Sequence, residues 1–376
     1  MELESSNLIK AVYSKQPLFY PEFSYENDIK IFTNLLRSIL GLLNVFIISF
    51  LFILFIYKRT EQFDKFVFFD FLRDNQKNLS FYQDIQNNFC DNFRNVYNKD
   101  LEEKIFLYTA SLNGMQFDMF LYKNFDYLSW KIQLNNTFEG KTILHMLNAL
   151  KYYSDKYSYK NDEILIIDFG TNVGLYTTIF GSFNYSILSF EPLPENYYIL
   201  KKNFCRNNNK FFKNLTTISI VDKALYNVET ICDYYKDLKN SKKNLILCDN
   251  SKIKNLDKDY IKIGKIKTTK LNEFINLIKD KQLTLLIFDL EYEGETVIES
   301  GKEIILKYHI PYIFIEFNLL MFALHETKPQ SFLRFFTQNG YKISLNGFLT
   351  DQFISVEDLM RTNFVSIDLY IVYVGS

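Results

Sequence analysis

Little in this sequence of 376 residues points to metal, disulfide or nucleic-acid chemistry. The formal net charge is only −1, so no basic field recruits a polyanion. The four cysteines, Cys90, Cys205, Cys232 and Cys248, are scattered and form no C-x-x-C pair. That spacing suggests neither a zinc site nor a disulfide framework, and buried free thiols are the expectation. The three histidines, His145, His309 and His325, fall into no ligand spacing, and no metal is expected. No G-x-G-x-x-G occurs, nor the Gly-Lys-Ser/Thr of a phosphate-binding loop.

What the chain does have is 38 Phe and 27 Tyr, with many Asn, Lys and Ile. Such usage resembles codon bias in an A/T-rich genome, so aromatic clusters such as Phe63 to Phe71 are read as packing. The same bias produces sequons by chance, which weakens those at Asn78, Asn135, Asn184 and Asn214 as signs of secretion.

The centre of the chain is Ile164 to Thr177. Four apolar residues run into Asp168 and then into Gly170 and Gly174. An unbroken apolar run reads as a parallel strand covered on both faces. Two glycines after it mark a tight turn, and a helix N-terminus follows. A second strand, Ser186 to Phe190, ends in Glu191-Pro192. An acid at that strand end, about 20 residues past the glycine turn, is where a carboxylate holds a ribose diol. The spacing suits a nicotinamide cofactor or S-adenosylmethionine equally.

The motifs resemble those of the FkbM family of S-adenosylmethionine-dependent methyltransferases. Asp168-Phe169-Gly170-Thr171-Asn172-Val173-Gly174 is similar to the family's D-x-G-A-N-x-G. Glu191-Pro192-Leu193-Pro194-Glu195-Asn196 is similar to its E-P-x-P run, and Leu200 to Asn203 to its L-x-x-N. Asp289-Leu290-Glu291-Tyr292-Glu293-Gly294-Glu295 resembles its D-x-E-G-x-E block, although the lysine that precedes the acid in the family is missing here. Either Glu291 or Glu293 matches the first glutamate of that block, and Glu316 matches a strand-end glutamate beyond it.

The resemblance implies an α/β fold: a Rossmann-like, seven-stranded, mostly parallel sheet with helices on both faces. It implies S-adenosyl-L-methionine as cofactor, with Asp168, Gly170, Asn172, Gly174, Glu191 and Asp222 around it. Asp289, Glu291, Glu293 and Glu316 would face the acceptor, a carboxylate serving as base for a hydroxyl. That reading makes the protein an O-methyltransferase of a sugar, glycolipid or other small acceptor, with no nucleic-acid partner. The alternatives are an NAD-dependent oxidoreductase, or a scaffold that keeps the fold without catalysis.

Ahead of the domain, Ile39 to Tyr57 is a run of 19 residues without a charge, closed by Lys58-Arg59. It is long enough for a membrane-spanning helix and too long and too late for an ordinary signal peptide. The expected organisation is therefore a polar leader at 1–38, a span at 39–57, a helical stem at 58–104 and a methyltransferase domain at 105–376. A β insertion is expected at about 226–267. The run from Ile105 to Leu134, Leu128 to Ile132 included, reads as strand-like, Leu283 to Phe288 and Ile310 to Ile315 read as further strands, and Thr269 reads as the cap of a helix that begins there. Lys and Arg near the ends of the span tilt weakly toward a cytoplasmic domain, and a lumenal one stays open.

Overall fold

The apolar run at Ile164 forms the middle of a sheet. A computed structural model describes Cys90 and residues 98–375, apart from 113, 124–125, 212–217, 238–243, 249–258, 290–293 and 325–326. The predicted leader, the span at 39–57 and all of the stem before Cys90 lie outside the described residues. Among the described residues no helix is long and apolar enough to cross a membrane.

A one-turn helix at Lys99–Glu102 leads into an antiparallel hairpin of β1 (Ile105–Leu112) and β2 (Met115–Tyr122). Helices α1 (Tyr127–Asn135) and α2 (Gly140–Tyr157) follow. Then come β3 (Ile164–Phe169), α3 (Leu175–Ser182), β4 (Ser186–Phe190), α4 (Pro194–Phe211) and β5 (Ile218–Val221). Strands β6 (Ala224–Leu225), β7 (Ile231–Asp237), β8 (Asn244–Leu247) and β9 (Tyr260–Thr269) occupy the expected insertion. The chain closes with β10 (Gln282–Phe288), α5 (Gly294–Tyr308), β11 (Tyr312–Asn318), α6 (Leu319–Leu324), α7 (Pro329–Gln338), β12 (Tyr341–Ser344), α8 (Val356–Arg361) and β13 (Ser366–Tyr373).

Seven of these strands make one sheet in the order β12-β13-β11-β10-β3-β4-β5. The strands from β11 to β5 pair in parallel, and only β13 runs antiparallel to its neighbours β11 and β12. Every residue of β3 and of β4 is buried, which is why neither strand shows polar alternation. The strand order reverses between β3 and β10, so their carboxyl ends open a crevice there. The insertion is a separate four-stranded sheet, in the order β6-β9-β7-β8.

Three expectations need correction. Leu128 to Ile132 reads as strand-like in the sequence but lies inside α1. The Asp126 carboxylate accepts from the Ser129 amide at 2.8 Å and caps the helix, and Asn136 ends it in the left-handed conformation. Thr269, placed by the sequence as a helix cap, is instead the last residue of β9. The largest correction concerns the cysteines, which are not free thiols. Cys90 is bonded to Cys205, and Cys232 to Cys248. Cys232, on β7, stands opposite Cys248, the residue just after β8, one pair beyond Asp233 and Leu247. Sequence spacing could not reveal this, because the pairing is created by strand register and by packing across 115 residues.

The hairpin β1–β2 is fastened to the core by two asparagines of α4. The Asn203 side chain, fully buried, donates to the carbonyls of Val173 (2.7 Å) and Phe120 (3.2 Å) and accepts from the Phe120 amide. One turn later Asn207 donates to the Asp118 carbonyl at 2.6 Å and accepts from its amide at 3.0 Å. A side chain that bridges two main-chain segments leaves several buried polar groups unpaired when it is removed. Asn203→Leu is therefore expected to lower the unfolding free energy by about 3 kcal/mol. Urea denaturation checks this, and a loss below about 1 kcal/mol would contradict a bridging role.

Candidate active site

The turn after β3 is built by main-chain bonds to β4. The amides of Gly170 and Thr171 both donate to the Phe190 carbonyl, at 3.1 and 3.2 Å. Gly170 (φ 81°), Asn172 (φ 55°) and Gly174 (φ 89°) all take left-handed backbone, which glycine enters freely and asparagine tolerates. Gly174 also begins α3, and a Cβ there would stand 2.5 Å from Leu200 Cδ1 of α4. Its missing side chain thus makes room for the packing of α3 on α4.

Two acids converge on this turn. Glu191 is 3% exposed, and its carboxylate faces the turn. Oε2 accepts from the Asn172 amide at 2.8 Å and Oε1 from the Leu193 amide at 2.9 Å. Burial pushes its pKa up to about 7, against the pull of those amides. Asp168, at the end of β3, is 1% exposed. Its Oδ2 accepts from the Thr177 hydroxyl at 3.1 Å, and Thr177 shares a further hydrogen bond with Ser189 of β4 at 2.7 Å. The Thr171 hydroxyl donates to the Asp168 main-chain carbonyl, so Oδ1 keeps no hydrogen-bond partner. Burial raises this carboxyl to about 7 as well. An unpartnered, desolvated carboxylate oxygen is complementary to a buried cation.

Asp222, the remaining residue expected on the cofactor side, follows β5 and is exposed. Its charge acts on Tyr197 and Lys201 of α4. It does not join the buried pair.

A second group of acids gathers at the carboxyl ends of the neighbouring strands. Asp289 follows β10, and its amide donates to the Phe169 carbonyl at 3.1 Å, beside the turn. The residues before it, Ile287 and Phe288, are buried in the sheet, Phe288 edge-on to Phe169 at 4.8 Å. A core hydrophobe thus stands just ahead of the acid where the family carries its lysine. Glu316 of β11 lies opposite Asp368 of β13, and its Oε1 accepts from the Ser366 hydroxyl at 3.2 Å. Glu291 and Glu293 lie outside the described residues.

Sequence reasoning missed three members of this group. Glu139 precedes α2 in left-handed backbone and accepts a hydrogen bond from the Tyr176 hydroxyl of α3. Burial raises its pKa, and the charges of Glu316 and Asp368 push in the same direction. Tyr176 is itself held well above the usual phenol range by burial and then by the charges of Glu139 and Asp289. Asp368 accepts from the Thr142 hydroxyl at 2.9 Å, and its carboxyl is raised by burial and by Glu316. The only sequence signals were a Glu just before a helix and a lone acid in an otherwise apolar strand.

These two groups, a buried carboxylate pair at a glycine turn and an acid cluster beside it, sit where open α/β sheets bind ligands. The class is that of the S-adenosylmethionine-dependent methyltransferases. The family model of the methyltransferase FkbM domain matches residues 168–343. Its cofactor is S-adenosyl-L-methionine, and the residues present fit it. The Asp168 oxygen without a partner suits an ammonium group, and Glu191 retains acceptor capacity for a ribose diol.

Among solved structures, this chain is similar to methyltransferase FkbM from Methylobacillus flagellatus KT, at 13% identity and a TM-score of 0.33. That likeness covers 66% of this chain and 55% of the other. It is also similar to magnesium protoporphyrin IX methyltransferase (ChlM) from Synechocystis PCC 6803 with bound SAM, at 7% identity and a TM-score of 0.32. There the coverage is 66% of this chain and 85% of the other. The METTL16 MTase domain matches at 12% identity and a TM-score of 0.31, over 78% of this chain and 94% of the other. No curated protein matches.

Cofactor binding should depend on pH with a defined sign. Both carboxyls are raised in the folded chain, so without ligand their contribution to stability is full below the unfolded value of about 4 and is lost as pH rises through about 7. A cation favours the ionised form, so binding must release protons. With Asp168 near 7, affinity for S-adenosylmethionine is expected to rise about tenfold between pH 6 and pH 8. Calorimetry in buffers of different ionisation enthalpy reads both the rise and the released protons. Glu191→Ala, which also frees the Asn172 amide, should weaken binding by about tenfold or more. A flat pH profile, or full affinity in this variant, would contradict the assignment.

Proposed function

We propose that the chain is a membrane-anchored O-methyltransferase, held by residues 39–57 and acting on a hydroxyl of a sugar, glycolipid or other small acceptor. The observation that carries the choice of oxygen is Glu139. It is a largely buried carboxyl with a raised pKa, hydrogen-bonded by Tyr176 on the first turn after the glycine loop. A proton acceptor that titrates near neutral pH suits removal of a hydroxyl proton. Bound S-adenosylmethionine supplies an electrophilic methyl group; the protein's part is alignment, exclusion of water and proton removal.

In this reading Tyr176 fixes the Glu139 carboxylate and Glu316 with Asp368 raise its basicity by like charge. Asp289, held at the mouth of β3 by its own amide, positions a second acceptor hydroxyl. The acids would receive hydroxyl donors from a polyol, which suits a sugar better than an amine or an apolar acceptor. The anchor rests on the 19 uncharged residues alone and would keep the site close to lipid-linked acceptors.

Methyl transfer from labelled S-adenosylmethionine into fractionated membrane extracts tests this. Label is expected in the glycan or glycolipid fraction; label in RNA or protein instead would refute the acceptor class. Glu139→Gln should cut kcat by about a hundredfold or more while cofactor affinity changes less than about twofold. Unchanged turnover in that variant would remove Glu139 from the proton-transfer step.

A further inference from the structure

All four cysteines of the chain are consumed in two disulfides. One joins α4, the helix that braces the glycine turn, to Cys90 ahead of the first hairpin. The other clips β7 to β8 across the insertion. Neither pair lies next to the acids of the candidate site, and neither has the C-x-x-C spacing of a redox-active couple. Two structural disulfides and no spare thiol are the mark of a domain that folds in an oxidising compartment. The charges flanking residues 39–57 tilt the other way, but only weakly, while a disulfide pair persists only where the surroundings let it.

That compartment changes the standing of the sequons. Asn135-Asn136-Thr137 ends α1 on the surface. Asn135 is exposed, and the next residue turns the chain away in left-handed backbone. The helix leaves two large apolar side chains in water beside it, Leu134 (61% exposed) and Trp130 (46% exposed). Asn135 itself packs against nothing that a carbohydrate there would have to displace from the core, since its side chain is exposed. Asn184-Tyr185-Ser186 differs. Tyr185 and Ser186 are fully buried at the start of β4, and the Ser186 hydroxyl donates to the Asp162 carbonyl at 2.8 Å. The sequons at Asn78 and Asn214 lie outside the described residues.

We infer that the methyltransferase domain resides on the lumenal or outer face of its membrane and carries an N-linked glycan on Asn135. Each disulfide forms by loss of two electrons and two protons from a thiol pair to a disulfide-bearing oxidant of that compartment. At Asn135 the carboxamide nitrogen bonds to the anomeric carbon of a lipid-diphosphate oligosaccharide. The carbon–oxygen bond to the diphosphate breaks, the lipid diphosphate leaves, and an amide proton passes to a base of the transferase. This assignment is independent of the methyl-transfer reading: it holds or fails on the covalent state of the chain, whatever the acceptor.

The test is to express the full chain in eukaryotic cells with an intact secretory pathway and examine it before and after a glycan-removing amidase. The wild-type chain should shift in mobility. Asn135→Gln and Thr137→Ala should each lose one glycan step, and Thr137→Ser should keep it, which separates loss of the sequon from misfolding. Thiol alkylation of the denatured, unreduced chain should add nothing, and four adducts should appear only after reduction. In microsomes the domain should resist protease until detergent is added. Four alkylated thiols without reduction, or digestion of the domain in sealed microsomes, overturns the lumenal placement. Intact disulfides with an unmodified Asn135 overturn the glycan site.

Discussion

The structure depends on the hydrogen bond between the Glu191 carboxylate and the Asn172 amide. It joins the end of β4 to the middle of the turn after β3, and so fixes the turn that forms one wall of the crevice between β3 and β10. Burying a carboxylate is costly, and here two backbone amides offset part of that cost. The rest is left as a raised pKa, shared with Asp168, which pairs with Ser189 across β3 and β4. A site that holds two acids close to titration in its empty state is prepared for a cation and a diol.

The motif residues divide into those that face this pocket and those that hold it open. Asp168 and Glu191 belong to the first kind. Gly174, Leu200 and Asn203 belong to the second: the glycine admits Leu200, and Asn203 ties the same turn to the hairpin in front of the sheet. An L-x-x-N pattern after the glutamate thus has a mechanical meaning. It presents an apolar side chain and an amide three residues apart on one face of α4, both directed at the turn. The disulfide at Cys205, two residues on, braces that helix from the other direction.

The second acid group is assembled differently. Its acids come from the ends of three strands and from the loop before α2, separated by more than two hundred residues between Glu139 and Asp368. Burial and neighbouring negative charges together raise the carboxyls of Glu139 and Asp368, so their proton affinity depends on the group around them. Tyr176 connects the two halves, since it leaves the glycine turn on α3 and bonds to Glu139.

The apolar runs at Ile164, Ser186, Leu283 and Tyr312 were legible as parallel strands because covered strands carry no polar alternation, and the acids at their ends were legible because sheet ends are where ligands bind. That much is local, and the order of motifs along the chain added the methyltransferase reading. What only the tertiary structure decided is what faces what. Leu128 to Ile132 became a helix because Asp126 capped it. Gly174 makes room for Leu200, and Glu139 and Asp368 joined a group no spacing could predict. The four cysteines paired because strand register and helix packing brought their sulfurs together. A sequence specifies periodicity and turn chemistry within a few residues; contacts across a hundred or more exist only once the sheet has closed around them.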